Sequence, residues 1–205
     1  MNLVIVRTEV GNLGSVANMC RRLGVEPVVS DDPGVIKHAA KLVLPGVGAF
    51  DPAMHYLNRT GLKESLDHQF LKGTPILAIC LGMQLLFERS EEGQSPGLGW
   101  IAGEVRHLRS GRDPELRVPH MGWSPVALCT SVPVFETMKA DARYYFVHSY
   151  AAVPDKDRNV VATADYGGQP FVAAVTQDNV VGVQFHPEKS HRHGKALIGR
   201  FLEDV

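Results

Sequence analysis

Four short apolar runs in the first half of the chain restrict the fold more than any other feature: Leu3 to Val6, Pro27 to Ser30, Lys41 to Leu44 and Ile76 to Ile79. Helical patterns separate them. Val16, Met19, Cys20 and Leu23 recur at helical spacing after a turn through Gly11 and Gly14, and Gly24 ends the stripe. Cys20 belongs to that apolar stripe and is expected in the core. Residues Val35 to Ala40 read as a short helix. Asp51-Pro52 reads as the start of a longer one that continues to Lys72, with Gly61 interrupting it. A helix is expected from Leu81 to Ser90. Apolar runs without alternation, each followed by a helix, specify a parallel sheet covered on both faces.

The second half is β-rich at Ile101 to Leu108, Arg143 to Tyr150, Val160 to Asp165, Phe171 to Thr176 and Val180 to Phe185. The turn signals "DKDRN", "YGGQP" and "QDN" between several of these predict antiparallel pairs extending the sheet. A last helix, Gly194 to Glu203, is expected to turn Ala196, Leu197, Ile198 and Phe201 inward. The 205 residues suit one domain, 1–205, large enough to bury a core without staples. With 21 basic and 22 acidic residues and no block of like charge, neither a nucleic-acid groove nor an anionic membrane surface is indicated. No membrane span or signal segment is read. Cys20, Cys80 and Cys129 share no metal-ligand spacing, which points to free thiols in a reducing, cytoplasmic setting.

Cys80 stands where a buried strand must turn sharply into a helix. Such a turn lifts the side chain over unpaired helix N–H groups, which favour a thiolate and can hold an oxyanion. The pattern Ala78-Ile79-Cys80-Leu81-Gly82 approximates the small-x-nucleophile-x-small elbow of α/β hydrolases. A base is offered by "VGVQFHPEKS": the strand ends at His186-Pro187-Glu188, where His186 can take the thiol proton and Glu188 can orient the imidazole. His191 and His193 are expected in water near the last helix, and no metal site is expected. The loop "LPGVGAFD", with Gly46 and Gly48, allows backbone to approach a ligand at a strand end.

Together these segments resemble the class I, triad-type glutamine amidotransferases. The resemblance runs through "GNLGSV" (Gly11 to Val16), "LPGVGAF" (Leu44 to Phe50), "ICLGMQLLFERSEEG" (Ile79 to Gly93), "PHMGW" (Pro119 to Trp123), "YFVHSY" (Tyr145 to Tyr150) and "GVQFHPEKS" (Gly182 to Ser190). Within that class it is most similar to the glutaminase subunits of imidazole glycerol phosphate synthase. The resemblance implies an α/β sandwich in which Cys80 is the nucleophile, His186 the base and Glu188 its orienting acid. It implies an oxyanion site at Leu81 and the Val47-Gly48 peptide. Glutamine is implied to lie along Gly48 and Gln84, walled by His148, Ser149 and Tyr150. It further implies no cofactor, a (β/α)8-barrel cyclase as heterodimer partner that receives the ammonia, and Asn12, Trp123, Tyr145 and Lys189 at the docking face or ammonia gate.

The chain departs from the pattern at two places. Arg7 stands where the family usually carries an aspartate, and Ala78 replaces a more usual glycine. The first reverses a charge near the expected interface and leaves open a subunit serving a sugar-modifying synthase. A stand-alone cysteine γ-glutamyl hydrolase and a non-catalytic regulatory subunit are the other readings.

Overall fold

The computed structural model describes residues 2–8, 12–111 and 114–203. Gly11 lies outside the described residues. Strands β1 (Leu3–Val6), β2 (Val28–Ser30), β3 (Lys41–Gly46) and β4 (Ile76–Cys80) run parallel in the order β2-β1-β3-β4. Between them come α1 (Leu13–Arg22), α2 (Pro33–Lys37), α3 (Phe50–Arg59) and α4 (Leu62–Lys72). Their side chains alternate between two cores. Leu3, Ile5, Val43, Leu77 and Ile79 face Val16 and Cys20 of α1 on one side. Val4, Val6, Leu42, Leu44, Ile76 and Ala78 face Phe50, Met54, Leu57 and Leu66 of α3 and α4 on the other. Both faces of β1, β3 and β4 are thus buried, which is why these runs show no alternation, while the edge strand β2 leaves Val28 exposed.

The rest of the chain is α5 (Leu81–Gln84), β5 (Phe87–Ser90), β6 (Ile101–His107), β7 (His120–Leu128), β8 (Arg143–His148), β9 (Tyr150–Pro154), β10 (Val160–Tyr166), β11 (Gln169–Gln177), β12 (Val180–Val183) and α6 (His191–Glu203). Strand β12 lies parallel to β4, with Val183 opposite Ile79. Beyond it β11, β10, β7 and β8 continue the sheet antiparallel, giving nine strands in the order β2-β1-β3-β4-β12-β11-β10-β7-β8. A second sheet has the order β5-β6-β9. No helix among the described residues is long and apolar enough to cross a membrane.

Several sequence expectations need correction. The helix after Cys80 makes one turn only, because Met83, Leu85, Leu86 and Phe87 are all buried and a longer helix there has no solvent face. The chain leaves it, and Phe87 pairs with Ile101. Asp51 does not cap α3, whose N-cap is Ala49; its carboxylate instead accepts from Gln94 N and Ser95 N, each at 2.9 Å. Helix α2 begins at Pro33 rather than Val35, since Asp32 accepts from Gly34 N at 2.7 Å and caps it. The run Arg143 to Tyr150 is two strands in different sheets, with Ser149 as the crossover between β8 and β9. Helix α6 starts three residues earlier than expected. Its buried stripe is Gly194, Leu197, Ile198, Phe201 and Leu202, so Ala196 faces outward.

Candidate active site

The site forms where β4 and β12 end side by side. Their register puts Val183 opposite Ile79, so the two residues that follow, Gln184 and Cys80, emerge together, with His186 just beyond. Cys80 has φ 55° and ψ −111°, a strained conformation for a residue with a Cβ. This is the sharp turn expected at an elbow. It requires Gly82, because a Cβ there would sit 1.9 Å from the carbonyl oxygen of Leu44. Only a glycine lets the start of α5 press against the end of β3, and Leu81 there lines the same cleft as Val47 and Gly48. Gly48 has φ +101° with open space around its Cα, so its peptide can turn.

Cys80 is 6% exposed. Its thiol points at the Val147 carbonyl, 3.9 Å away, and takes a donor from Gln184 Nε2 at 3.7 Å. His186 is buried, and its Nδ1 lies 2.9 Å from Glu188 Oε1, with both side chains at 2% exposure or less. A carboxylate only accepts, so Nδ1 carries the proton and Nε2 is the nitrogen left for the thiol. Nε2 is buried and makes no hydrogen bond among the described residues. The sulfur therefore acts on the ring from nearby without being aligned on it, a resting geometry common before substrate binds. Burial pulls the imidazole pKa down, but Cys80 and Glu188 outweigh it and hold it raised to about 9. At neutral pH the ring is thus cationic beside a thiol, which favours the thiolate.

A cleft of about 300 Å³ opens over the sulfur, lined by Val47, Gly48, Cys80, Leu81, Gln84, His148, Ser149, Tyr150 and His186 among others. The structure thus gathers in one cavity every residue that the sequence placed at the oxyanion and glutamine sites, together with nucleophile and base. Glu188 stands behind His186. The Gln84 amide donates to Tyr150 O at 3.1 Å and to Gln184 Oε1 at 3.0 Å. Trp123, Tyr145 and Lys189 form a separate cluster beside the triad: Lys189 Nζ lies 5.5 Å over the Tyr145 ring, and Trp123 meets that ring edge-on at 6.0 Å. Trp123 also stacks on His191. Asn12 is apart from this cluster, at the start of α1, and accepts from Ser15 Oγ. Arg7 is exposed at the end of β1.

Three residues at or beside the cleft escaped the sequence reading. Glu92 lines the cleft, with Oε2 accepting from Phe50 N at 2.9 Å. Burial raises its pKa, Phe50 N–H lowers it and the neighbouring Asp51 raises it again. An anionic side chain in a cleft with few charges is the natural partner for an ammonium group. Gln184, fully buried, is the donor to Cys80. His120 is bonded to His148, 3.1 Å away. The signal for Glu92 is its place in "ERSEEG"; its carboxylate is held by the Phe50 N–H at the start of α3. No group of residues that could hold a metal ion is found among the described residues.

The sequence model of the family Glutamine amidotransferase class-I matches residues 11–205. Imidazole glycerol phosphate synthase subunit HisH 2 of Pseudomonas aeruginosa is 45% identical over 204 residues, 99% of this chain and 100% of that one. Imidazole glycerol phosphate synthase subunit HisH of Synechococcus elongatus is 44% identical, covering 99% of this chain and 93% of the relative. Among solved structures, PurLQS from Thermotoga maritima has a TM-score of 0.73 at 20% identity, covering 98% of this chain and 97% of that chain. The glutaminase domain of Trypanosoma brucei CTPS has a TM-score of 0.65 at 13% identity, covering 100% and 95%. These two structures share the fold. The family match and the full-length relatives decide the assignment: the chain belongs to the class I glutamine amidotransferases.

Proposed function

We propose that this chain is the glutaminase subunit of an imidazole glycerol phosphate synthase, and that residues 1–205 act as a single amidotransferase domain. The full-length identity to subunits of that name carries the reading. The placement of His186 between Cys80 and Glu188 supports the chemistry. The Cys80 thiolate attacks the side-chain amide carbon of glutamine. The N–H of Leu81 and one from the Val47-Gly48 peptide hold the oxyanion. Protonated His186 gives its proton to the departing ammonia, leaving a thioester on Cys80. Water, losing a proton to His186, then releases glutamate. Glu92 binds the α-ammonium of the substrate. Ser149 and Tyr150, at the crossover between the two sheets, close the opposite wall.

An oxyanion donor contributes roughly 10²–10³ in rate. A Val47-Gly48 peptide that turns at Gly48 therefore switches the enzyme on or off, and partner docking is the natural trigger. The partner is a (β/α)8-barrel cyclase that takes the ammonia before water protonates it. It seats on the face carrying Trp123, Tyr145 and Lys189, with Asn12 toward its margin. The three cysteines are free thiols, in keeping with a reducing cytoplasm. The test is glutamate release with and without the barrel and its nucleotide substrate. Strong stimulation is expected. Equal turnover without the partner, or cleavage of longer γ-glutamyl substrates, would replace this reading with a stand-alone hydrolase.

A further inference from the structure

Behind the cleft runs a row of buried hydrogen bonds that the reaction as described does not use. Side chains alternate along β7: His120 and Ser124 point inward, while Met121 and Trp123 point outward at 63% and 39% exposure. His148 Nδ1 lies 2.8 Å from the Tyr150 carbonyl, which can only accept, so His148 carries its proton on Nδ1. Its Nε2 is then an acceptor and takes the Nδ1 proton of His120 at 3.1 Å. His120 Nε2 in turn accepts from Ser124 Oγ at 2.9 Å. With Tyr150 O accepting at one nitrogen and His120 donating at the other, only the Nδ1–H tautomer satisfies both ring nitrogens of His148. The arrangement needs both rings neutral, and burial keeps them so, with pKa values lowered to about 4 for His120 and about 3 for His148.

The row continues to the nucleophile. Tyr150 O also accepts from Gln84 Nε2, Gln84 donates to Gln184, and Gln184 donates to Cys80 Sγ. Phe146, Tyr166 and Phe171 pack around the His120 ring and hold it in place. We propose that His120 is a positioning residue for glutamine hydrolysis: its donation to His148 Nε2 keeps His148 on the Tyr150 carbonyl and so keeps Gln84 and Gln184 aimed at the Cys80 sulfur. This rests on the glutaminase reading of the cleft. Without the His120 donor, His148 Nε2 is left as a buried acceptor with no partner, and the ring can move its proton to Nε2 or turn to relieve that cost. Nδ1 then faces the carbonyl as a second acceptor or leaves it, and the bond to Tyr150 is lost. An N–H aimed at sulfur favours the charged thiolate, so a loosened Gln184 makes a poorer nucleophile.

The experiment compares His120→Phe, which keeps the ring packing and removes both bonds, with His120→Asn, whose amide restores a donor near the Nδ1 position. In the full-length chain, ring ¹⁵N shifts should show His148 as the Nδ1–H tautomer, lost in the Phe variant and regained in the Asn variant. In the assembled synthase, kcat for glutamine should fall about ten-fold in the Phe variant, the worth of one net hydrogen bond, with KM within about three-fold. Cys80 alkylation by iodoacetamide should slow in parallel, and the Asn variant should recover most of both. Unchanged tautomer and kcat, or equal losses in the two variants, would overturn the proposal. If the Phe variant fails to fold, Ser124→Ala takes its place: mixed His120 tautomers and about a two- to three-fold fall in kcat are expected, and no change overturns it. A wild-type chain that never hydrolyses glutamine defeats the glutaminase reading instead, while the tautomer and alkylation still test the row.

Discussion

Acidification of the isolated chain reads the buried imidazole pair directly. In the unfolded chain a histidine titrates near 6.5, whereas in the native protein burial lowers His120 to about 4 and His148 to about 3. Between those values the unfolded chain holds protons that the native state refuses. The stability contributed by a depressed histidine is therefore complete above the unfolded pKa and is lost as pH falls toward the folded one. Each pH unit in that window costs about 1.4 kcal/mol per group. From 6.5 down to about 5, His120 alone accounts for about 1.5 × 1.4, or about 2 kcal/mol, and the pair for about 4. His186 does not add to this slope. Its pKa is raised, so its contribution is complete below 6.5 and is lost as pH rises through about 9. Replacing His120 with Phe removes one refused proton and relieves His148 of its neighbour's repulsion. The loss of stability per pH unit should then be smaller by up to about 1.4 kcal/mol at the acidic end of the range. Urea unfolding followed by the fluorescence of Trp100 and Trp123, at several pH values between about 7.5 and 5, gives both curves. Parallel curves for wild type and variant would show that His120 takes up its proton without penalty, and the electrostatic account would fall.

Three further substitutions probe the cleft. Glu92→Gln keeps an acceptor for Phe50 N but removes the charge; KM for glutamine should rise roughly 10- to 100-fold with kcat less affected, and a KM within two-fold of wild type would remove Glu92 from ammonium recognition. Glu188→Gln leaves His186 a neutral partner and lowers its pKa. Glutamine turnover should drop roughly 10⁴-fold, and Cys80 alkylation near neutral pH should slow because the imidazolium is less stable; unchanged alkylation would mean that Glu188 does not set the charge on the ring. Gly82→Ala drives a methyl against the Leu44 carbonyl oxygen and should destabilise the chain by about 1–3 kcal/mol or more, seen as a lower Tm by calorimetry, with turnover lost even where the protein folds.

The parallel half of the sheet was legible because β1, β3 and β4 bury both faces and each stripe keeps one helical period. Legibility failed where burial erased the pattern. Leu85, Leu86 and Phe87 are buried whether the chain is helix or strand, so periodicity alone cannot place the end of α5. Strand β7 was missed because Gly122 and Pro125 interrupt its run and its outward side carries Met121 and Trp123, an apolar face where alternation predicts a polar one. That Cys80, His186 and Glu188 come together was readable because a turn and a proline mark each strand end. Glu92, Gln184 and His120 were not. Their places at or behind the cleft come from what meets them across the fold, and a single carboxylate, amide or imidazole in a sequence carries no mark of the partner that orients it.

The backbone that holds His186 also carries the docking candidates. Tyr145 O accepts from His186 N at 2.8 Å. Tyr145 N donates to Ser190 Oγ, which in turn donates to His186 O at 2.6 Å. The base is thus clasped on both sides by one residue of β8. The side chain of that same residue lies under Lys189 and against Trp123. A body pressed onto Trp123 bears on the Tyr145 ring, and a shift of the Tyr145 backbone moves the two groups that fix His186. Three residues further along β8, His148 forms part of the cleft wall and ends the row of side chains that begins at Ser124 on β7, joined to Cys80 through Tyr150 and the two glutamines. The pair β7 and β8 therefore reaches the reacting atoms twice: through backbone hydrogen bonds to the base and through side-chain hydrogen bonds to the sulfur. A partner seated on β7 and β8, as proposed, needs no large movement to affect glutamine turnover, because those strands already hold both the base and the sulfur's hydrogen-bond row.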